Sequence, residues 1–149
     1  MGKTEIIDLG WDQIIQETKL ADRSYTKVGL QEGTTADDLS DLVMVGAVNE
    51  FGTKRIPARP FIRTTYDDNR GMLFELIDRQ YDRILRGRAT AKMALERIGE
   101  WLEGKTKKKI VDIQAPPNAP STIAKKGSSN PLIDTSQMRQ SIRHVEVMV

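Results

Sequence analysis

Length and composition set the first limits on this chain. Its 149 residues suit one domain, and 38% hydrophobic with 30% charged residues allow a folded protein with a modest core. The absence of cysteine excludes disulfides, thiolate catalysis and cysteine-ligated metals, and no apolar run approaches the roughly 18 residues of a membrane span. We therefore expect a protein made in a cytoplasm and not held in a membrane.

Charge is unevenly distributed although the net charge is only +2. Residues 1–50 hold four Lys/Arg against ten Asp/Glu, and residues 79–109 hold ten against four. Three explanations remain open: solvated helix faces, an oligomer in which acidic and basic parts of neighbouring subunits meet, and contact with nucleic acid.

Two short elements are predicted in the acidic part of the chain. Residues 11–21 space their apolar side chains near the helical period, which predicts an amphipathic helix anchored by Trp11. Residues 25–30 alternate between apolar and polar side chains, which predicts a strand weakened by Gly29.

The most apolar stretch of the chain follows, between Leu39 and Val48. Thr35 is placed to cap a helix here, with Asp37 and Asp38 in its first turn. The β-branched valines at 43–48 favour a buried strand instead, and periodicity cannot separate the two over so short a run. We expect a helix that ends near Gly52, with the strand as the alternative.

A long helical hairpin is predicted in the middle of the chain. Residues 53–60 should form an extended connection, because Pro57 and Pro60 lack amide donors. Apolar side chains then repeat at three- and four-residue intervals up to Gly87, and a second helix with its own apolar stripe follows the N-cap Thr90. The two helices should pack antiparallel.

The last part of the chain is predicted to be mostly loop. Residues 114–131 are rich in Pro, Gly and Ser, with one turn of helix at 121–125. Asp134 or Thr135 can cap a short helix before the final strand, in which valines alternate at 145, 147 and 149. The expected fold is a single α+β domain over residues 1–149, with a small, mainly antiparallel sheet packed against the helical hairpin.

Catalytic and cofactor chemistry finds no support in the sequence. His144 is the sole histidine and lies far from any serine flanked by glycines, so we expect no catalytic triad. The paired acidic residues at 37–38 and 67–68 lack the spacing of a calcium loop, and no glycine-rich phosphate loop is present. We expect no enzyme activity, no metal and no cofactor.

A basic cluster and one arginine are the charged features with a candidate role. Favourable interaction with the C-terminal end of a helix explains the cluster without a ligand, although it could also contact DNA phosphates. Its members are Lys105, Lys107, Lys108 and Lys109. Arg59, between two prolines, should be fixed in direction and bind a carboxylate, either within the chain at Glu50 or on a neighbouring subunit.

Two separated motifs resemble those of the small tail-completion and head-to-tail joining proteins of long-tailed bacteriophages. The first is Asn49-Glu50-Phe51-Gly52-Thr53 followed by Ile56-Pro57-Ala58-Arg59-Pro60-Phe61. The second comprises residues 116–127 and 131–142, where Pro131-Leu132-Ile133-Asp134-Thr135 leads into Ser136 at a position often occupied by glycine in that family. The resemblance covers residues 43–149, and residues 1–40 carry none of these motifs.

The resemblance implies a structural virion protein that forms a ring, commonly sixfold, around the DNA channel where the tail meets the neck. It would be made in the host cytoplasm, and its partners would be other copies of itself, the tail tube and the connector. The assembly surface implied by the motifs comprises Glu50, Phe51, Gly52, Pro57, Arg59, Pro60, Phe61, Asp134 and Thr135. The alternative function is a DNA-binding accessory protein that uses the lysine cluster.

Overall fold

The computed structural model describes residues 10–31, 41–127, 129, 132 and 137–149. Its fold class is α+β, as predicted, with a two-stranded antiparallel sheet packed against long helices. In chain order the elements are α1 (Trp11–Arg23), β1 (Tyr25–Leu30), α2 (Leu42–Phe51), α3 (Ile62–Leu85), α4 (Ala91–Asp112), α5 (Pro120–Lys126), α6 (Gln137–Gln140) and β2 (Ile142–Val147).

The predicted helical hairpin is confirmed as α3 and α4. Thr90 caps α4 as expected, because its side chain accepts a hydrogen bond from the amide of Met93. Lys109 near the end of α4 lies 2.6 Å from Asp68 near the start of α3, so the two helices run antiparallel. The faces on which the two helices pack contain buried small and aliphatic side chains: Leu73, Leu76, Ile84, Ala91 and Ala94.

The two strands come from opposite ends of the chain and pair in one register, from Tyr25 with Val147 to Leu30 with Ile142. One face of this sheet packs on α4 at Gly99. A Cβ at that position would lie 2.7 Å from His144 and 2.8 Å from Thr26, so close packing of sheet and helix requires glycine. The inner face therefore carries Thr26, Val28, Leu30, Ile142, His144 and Glu146.

The main core lies where α2, the start of α3, the end of α4 and the start of β2 meet. Its buried members are Leu42, Phe61, Ile110, Leu132, Met138 and Ile142. Partly buried Val28, Leu30 and Ile113 pack against it. The motif segment at 50–61 therefore crosses the best-packed part of the molecule.

Two expectations about the first half of the chain need correction. Trp11 does not anchor α1, since it is 64% exposed. Ile14, one turn later, lies beside Gly87 at the turn between α3 and α4. The cap of α2 is Asp41, whose side chain accepts hydrogen bonds from the amides of Val43 and Met44.

The ambiguous stretch at 43–48 is helical, as expected, and α2 ends at Gly52. The expected cap Thr35, the acidic residues Asp37 and Asp38, and Leu39 lie outside the described residues. So do Asp134 and Thr135, proposed to cap α6. The last strand and the turn of helix inside the 114–131 loop occur where they were predicted. Residues 53–60 contain no helix or strand, as expected, but they are not extended throughout, because bends at 54–56 fold the chain back along α2.

A polar cluster holds α4 to β2. Glu103 Oε2 lies 2.5 Å from His144 Nδ1 and accepts a 3.0 Å hydrogen bond from the His144 amide, while Glu103 Oε1 lies 2.5 Å from Lys107 Nζ. Burial raises the pKa of the Glu103 carboxyl, but the hydrogen bonds from Lys107 and His144 and the charge of Lys107 outweigh this effect and lower that pKa below its ordinary value.

Acid should therefore weaken the protein through Glu103. Because the pKa of Glu103 is lower in the folded state than in the unfolded state, this carboxylate stabilises the fold above pH 4.5. Its contribution is lost as pH falls through the folded-state pKa. We expect Glu103→Gln to lower the free energy of unfolding by about 1–2 kcal/mol at neutral pH, because Lys107 and His144 lose a charged acceptor. The same change should reduce the dependence of stability on acid. Urea unfolding of both proteins between pH 3 and 7 measures this, and an unchanged acid slope would contradict the assignment.

Candidate assembly surface

Glu50 caps the long helix that follows it. It is only 3% exposed, and its carboxylate accepts hydrogen bonds of 2.9 Å from the Ile62 amide and 3.1 Å from the Arg63 amide. The Arg63 side chain adds a 3.0 Å ion pair to the same carboxylate. Since Phe61 offers no capping side chain, a carboxylate from α2 satisfies the first free amides of α3 and meets the positive end of its dipole.

Gly52 turns the chain back along α2. Its φ of 74° is in the left-handed region, and a Cβ there would lie 2.8 Å from the Ala58 backbone nitrogen. The turn closes with hydrogen bonds from the Thr53 amide to the Ile56 carbonyl at 2.7 Å and from the Arg59 amide to the Asn49 carbonyl at 2.6 Å. The motif glycine is thus needed for the close approach of two backbone segments.

Gly52→Ala should lower the free energy of unfolding by about 1–2 kcal/mol, because an alanine would be strained at this φ and would press on the Ala58 backbone. Gly71→Ala is the matched control. Gly71 lies within α3 with open space where a Cβ would be, so that variant should be as stable as the wild type or up to about 1 kcal/mol more stable. Chemical denaturation followed by circular dichroism compares them, and equal effects in both variants would contradict the role of Gly52.

Arg59 joins the motif segment to the 114–119 part of the loop. Its guanidinium donates hydrogen bonds to the carbonyl oxygens of Pro116 at 2.7 Å and Pro117 at 3.0 Å, and to Asn118 Oδ1 at 3.2 Å. Arg59 is 4% exposed, and burial lowers its pKa. The expected pairing of Arg59 with Glu50 is wrong, because the Arg59 guanidinium donates to these loop oxygens and Glu50 accepts from Ile62 and Arg63. The alternative, an ion pair with a neighbouring subunit, stays a prediction.

The remaining motif side chains divide between the interior and the surface. Phe61 is fully buried in the main core, whereas Phe51 is 69% exposed with the Arg63 guanidinium 5.3 Å from its ring centre. Pro57 is exposed, and Gly52 and Pro60 are half-buried. Glu50, Arg59 and Phe61 are therefore buried within the subunit, where they hold the backbone of the motif segment in place.

An apolar groove opens beside this segment, which we call the α2 groove. It has a volume of about 650 Å³ and lies between α2, the 55–59 turn and the start of α5. Its apolar lining comes from Met44, Val45, Val48, Ile56, Pro57, Pro117 and Ala119. Met44 is 63% exposed and Ile56 is 40% exposed, so large side chains stand open to solvent at its wall.

Sequence reasoning missed Met44 and Val45 as surface residues. The available signal was that α2 is apolar on every side, which is typical of a helix that is covered all round. Leu42 and Gly46 turn toward Phe61 and Leu30, and the opposite side of the helix has no cover among the described residues.

The lysine cluster is distributed around the last turns of α4. Three of its members are paired with carboxylates: Lys107 with Glu103 at 2.5 Å, Lys108 with Asp112 at 2.6 Å and Lys109 with Asp68 at 2.6 Å. Lys105 lies 5.2 Å from the ring centre of Trp101. In these pairs, the carboxylates neutralise the lysine charges that contacts with DNA phosphates would use.

Within the described residues, no three His, Asp or Glu side chains gather in a way that could hold a metal ion. The described helices include none with the length and apolar character of a membrane span. Asp134 and Thr135 of the expected assembly surface lie outside the described residues. No family model, curated protein or solved structure matches this chain.

Proposed function

We propose that this chain is a structural subunit that assembles with copies of itself into a ring and completes a phage tail at the neck. The observation that carries the proposal is α2, a helix with apolar residues on all sides whose outer side is exposed at Met44, Val45 and Phe51. Such a helix is stable in water when a partner covers it. The family resemblance implies that this partner is a second copy in a ring.

The scaffold around α2 supports this function. Glu50, Gly52 and Arg59 hold the backbone between α2 and α3 in one conformation, and this backbone forms a wall of the α2 groove. A rigid wall is suited to a repeated contact, because little conformational entropy is lost when the next subunit binds. The DNA-binding alternative is less well supported, since three of the four lysines already have carboxylate partners.

Introducing a charge on α2 tests this function. We expect the wild type to form a discrete ring-sized species in light scattering and Met44→Glu to remain monomeric, because the glutamate would have to be desolvated in the interface. Met72→Glu is the matched control, since Met72 is 47% exposed on α3 and its replacement should leave the ring intact. Both side chains are exposed, so circular dichroism should show that both variants are folded.

A salt series with duplex DNA separates the two functions. Apolar assembly should persist from low to high salt, whereas phosphate binding falls steeply with ionic strength. Equal assembly of Met44→Glu and the wild type would contradict the role of α2. Salt-sensitive DNA binding by a wild-type monomer would favour the alternative.

A further inference from the structure

The outer face of the sheet is more apolar than its inner face at the Tyr25 end. β2 turns His144 and Glu146 toward α4, and their neighbours Val145 and Val147 point outward. Tyr25 is 46% exposed and Val145 is 43% exposed. Lys27 lies beside them on the same face, with its ammonium 5.6 Å from the Tyr25 ring centre. Half-covered antiparallel sheets usually place their apolar residues inward, so apolar side chains on the outer face are a candidate contact surface.

This apolar surface continues past the end of β2, and we call it the strand-end patch. Its members are Tyr25, Val145, Val147, Met148 and Val149. Val149 is 68% exposed, but its backbone is held in place because its amide donates a 3.2 Å hydrogen bond to Ser24 Oγ. The patch is therefore a surface of defined shape.

The strand-end patch and the α2 groove lie at opposite ends of the sheet. α2 packs against the Leu30 end, where a Cβ on Gly46 would lie 2.3 Å from the Leu30 side chain. The patch lies at the Tyr25 and Val147 end of the same ladder. A ladder of six residue pairs separates the two ends by roughly 17 Å.

We propose that the strand-end patch of one copy occupies the α2 groove of the next, an inference that rests on the ring function proposed above. A closed ring is built from a head-to-tail contact between two different patches of the same chain, whereas a twofold dimer uses one patch twice. Two separate apolar patches at opposite ends of the sheet meet that requirement.

The area of the α2 surface fits a contact of this size. The exposed parts of Met44, Val45, Phe51 and Ile56 amount to roughly 400 Å², about half of the ~800 Å² that one partner contributes to a standard interface. Polar atoms and the flanking turn can supply the remainder, as they do at the rim of most interfaces.

Cysteine cross-linking tests the pairing, because the wild-type chain has no cysteine. A mixture of Met44→Cys and Val149→Cys proteins treated with a short bis-maleimide should give cross-linked dimers and nothing larger, since each copy carries only one reactive patch. A protein carrying both substitutions should give a ladder that stops at the ring. Met72→Cys mixed with Val149→Cys is the control and should remain uncross-linked.

The contradicting outcomes separate this inference from the ring function. Cross-linking of Met44→Cys with itself would show a twofold contact and overturn the head-to-tail pairing. If wild-type rings form but the mixture gives no dimers, the pairing is wrong and the ring function stands. If the wild type is monomeric at every concentration, both are wrong.

Discussion

Phe61→Ala should lower the free energy of unfolding by about 3–5 kcal/mol, the largest effect expected of any single change discussed for this protein. Phe61 is fully buried, and it lies in the main core with Leu42, Ile110 and Ile142. These neighbours belong to α2, α4 and β2, so the cavity would open where three elements meet. The structure around it could collapse only by moving those elements together.

Phe74→Ala is the matched control for this prediction. Phe74 is the same residue type, but it lies on α3 and is 53% exposed. Its removal should change stability by less than about 0.5 kcal/mol, the usual limit for surface substitutions. Urea unfolding followed by tryptophan fluorescence or circular dichroism measures both, and similar losses in the two variants would contradict the burial of Phe61.

Glu50→Ala should cost about 2–4 kcal/mol, because it removes a helix cap and leaves several donors without an acceptor. The Ile62 and Arg63 amides and the Arg63 side chain all donate to this carboxylate. The Arg63 side chain is 58% exposed, so water can replace its part of the loss, and most of the cost comes from the two amides. Glu50→Gln retains an acceptor oxygen and should lose about half as much.

A surface glutamate provides the comparison for Glu50. Glu75 on α3 is 71% exposed and lies 3.8 Å from Arg79, so Glu75→Ala should cost less than about 0.5 kcal/mol. Both substitutions remove one negative charge and shorten the side chain equally. If the two variants had the same denaturation midpoint, Glu50 would not act as the cap of α3.

The long hairpin was predictable because its signals are local and repeated. Apolar residues recur over many turns of α3 and α4, and Thr90 has the side chain that a cap requires at the start of α4. The two strands were also found, but their pairing was not, because β1 and β2 lie at opposite ends of the chain and periodicity carries no information on distant partners. The alternation of valines in β2 likewise cannot tell which face turns inward.

The motif at 50–61 was recognised as important, but the roles of its side chains were not predictable. A buried Glu or Arg looks the same in sequence as an exposed one until the backbone donors and acceptors around it are known. Glu50 serves the amides of α3, and Arg59 serves carbonyls more than fifty residues away in the chain. Met44 and Val45 were missed because the helix and strand alternatives for 43–48 would place different residues on the surface.

Apolar surface is the common element of the proposals. α2 carries exposed apolar side chains beside the motif segment, and the outer face of the sheet carries others at the opposite end of the β-ladder. One copy of the chain leaves both surfaces uncovered in the described residues, and a ring of copies would cover both with a single repeated contact.

The mass of the wild-type protein by light scattering over a wide range of concentrations is the most direct test of this account. Ring assembly predicts one discrete species above the monomer, commonly six times the chain mass of 16.8 kDa, which persists at high salt without DNA. A protein that remains at the monomer mass at every concentration would contradict the central claim.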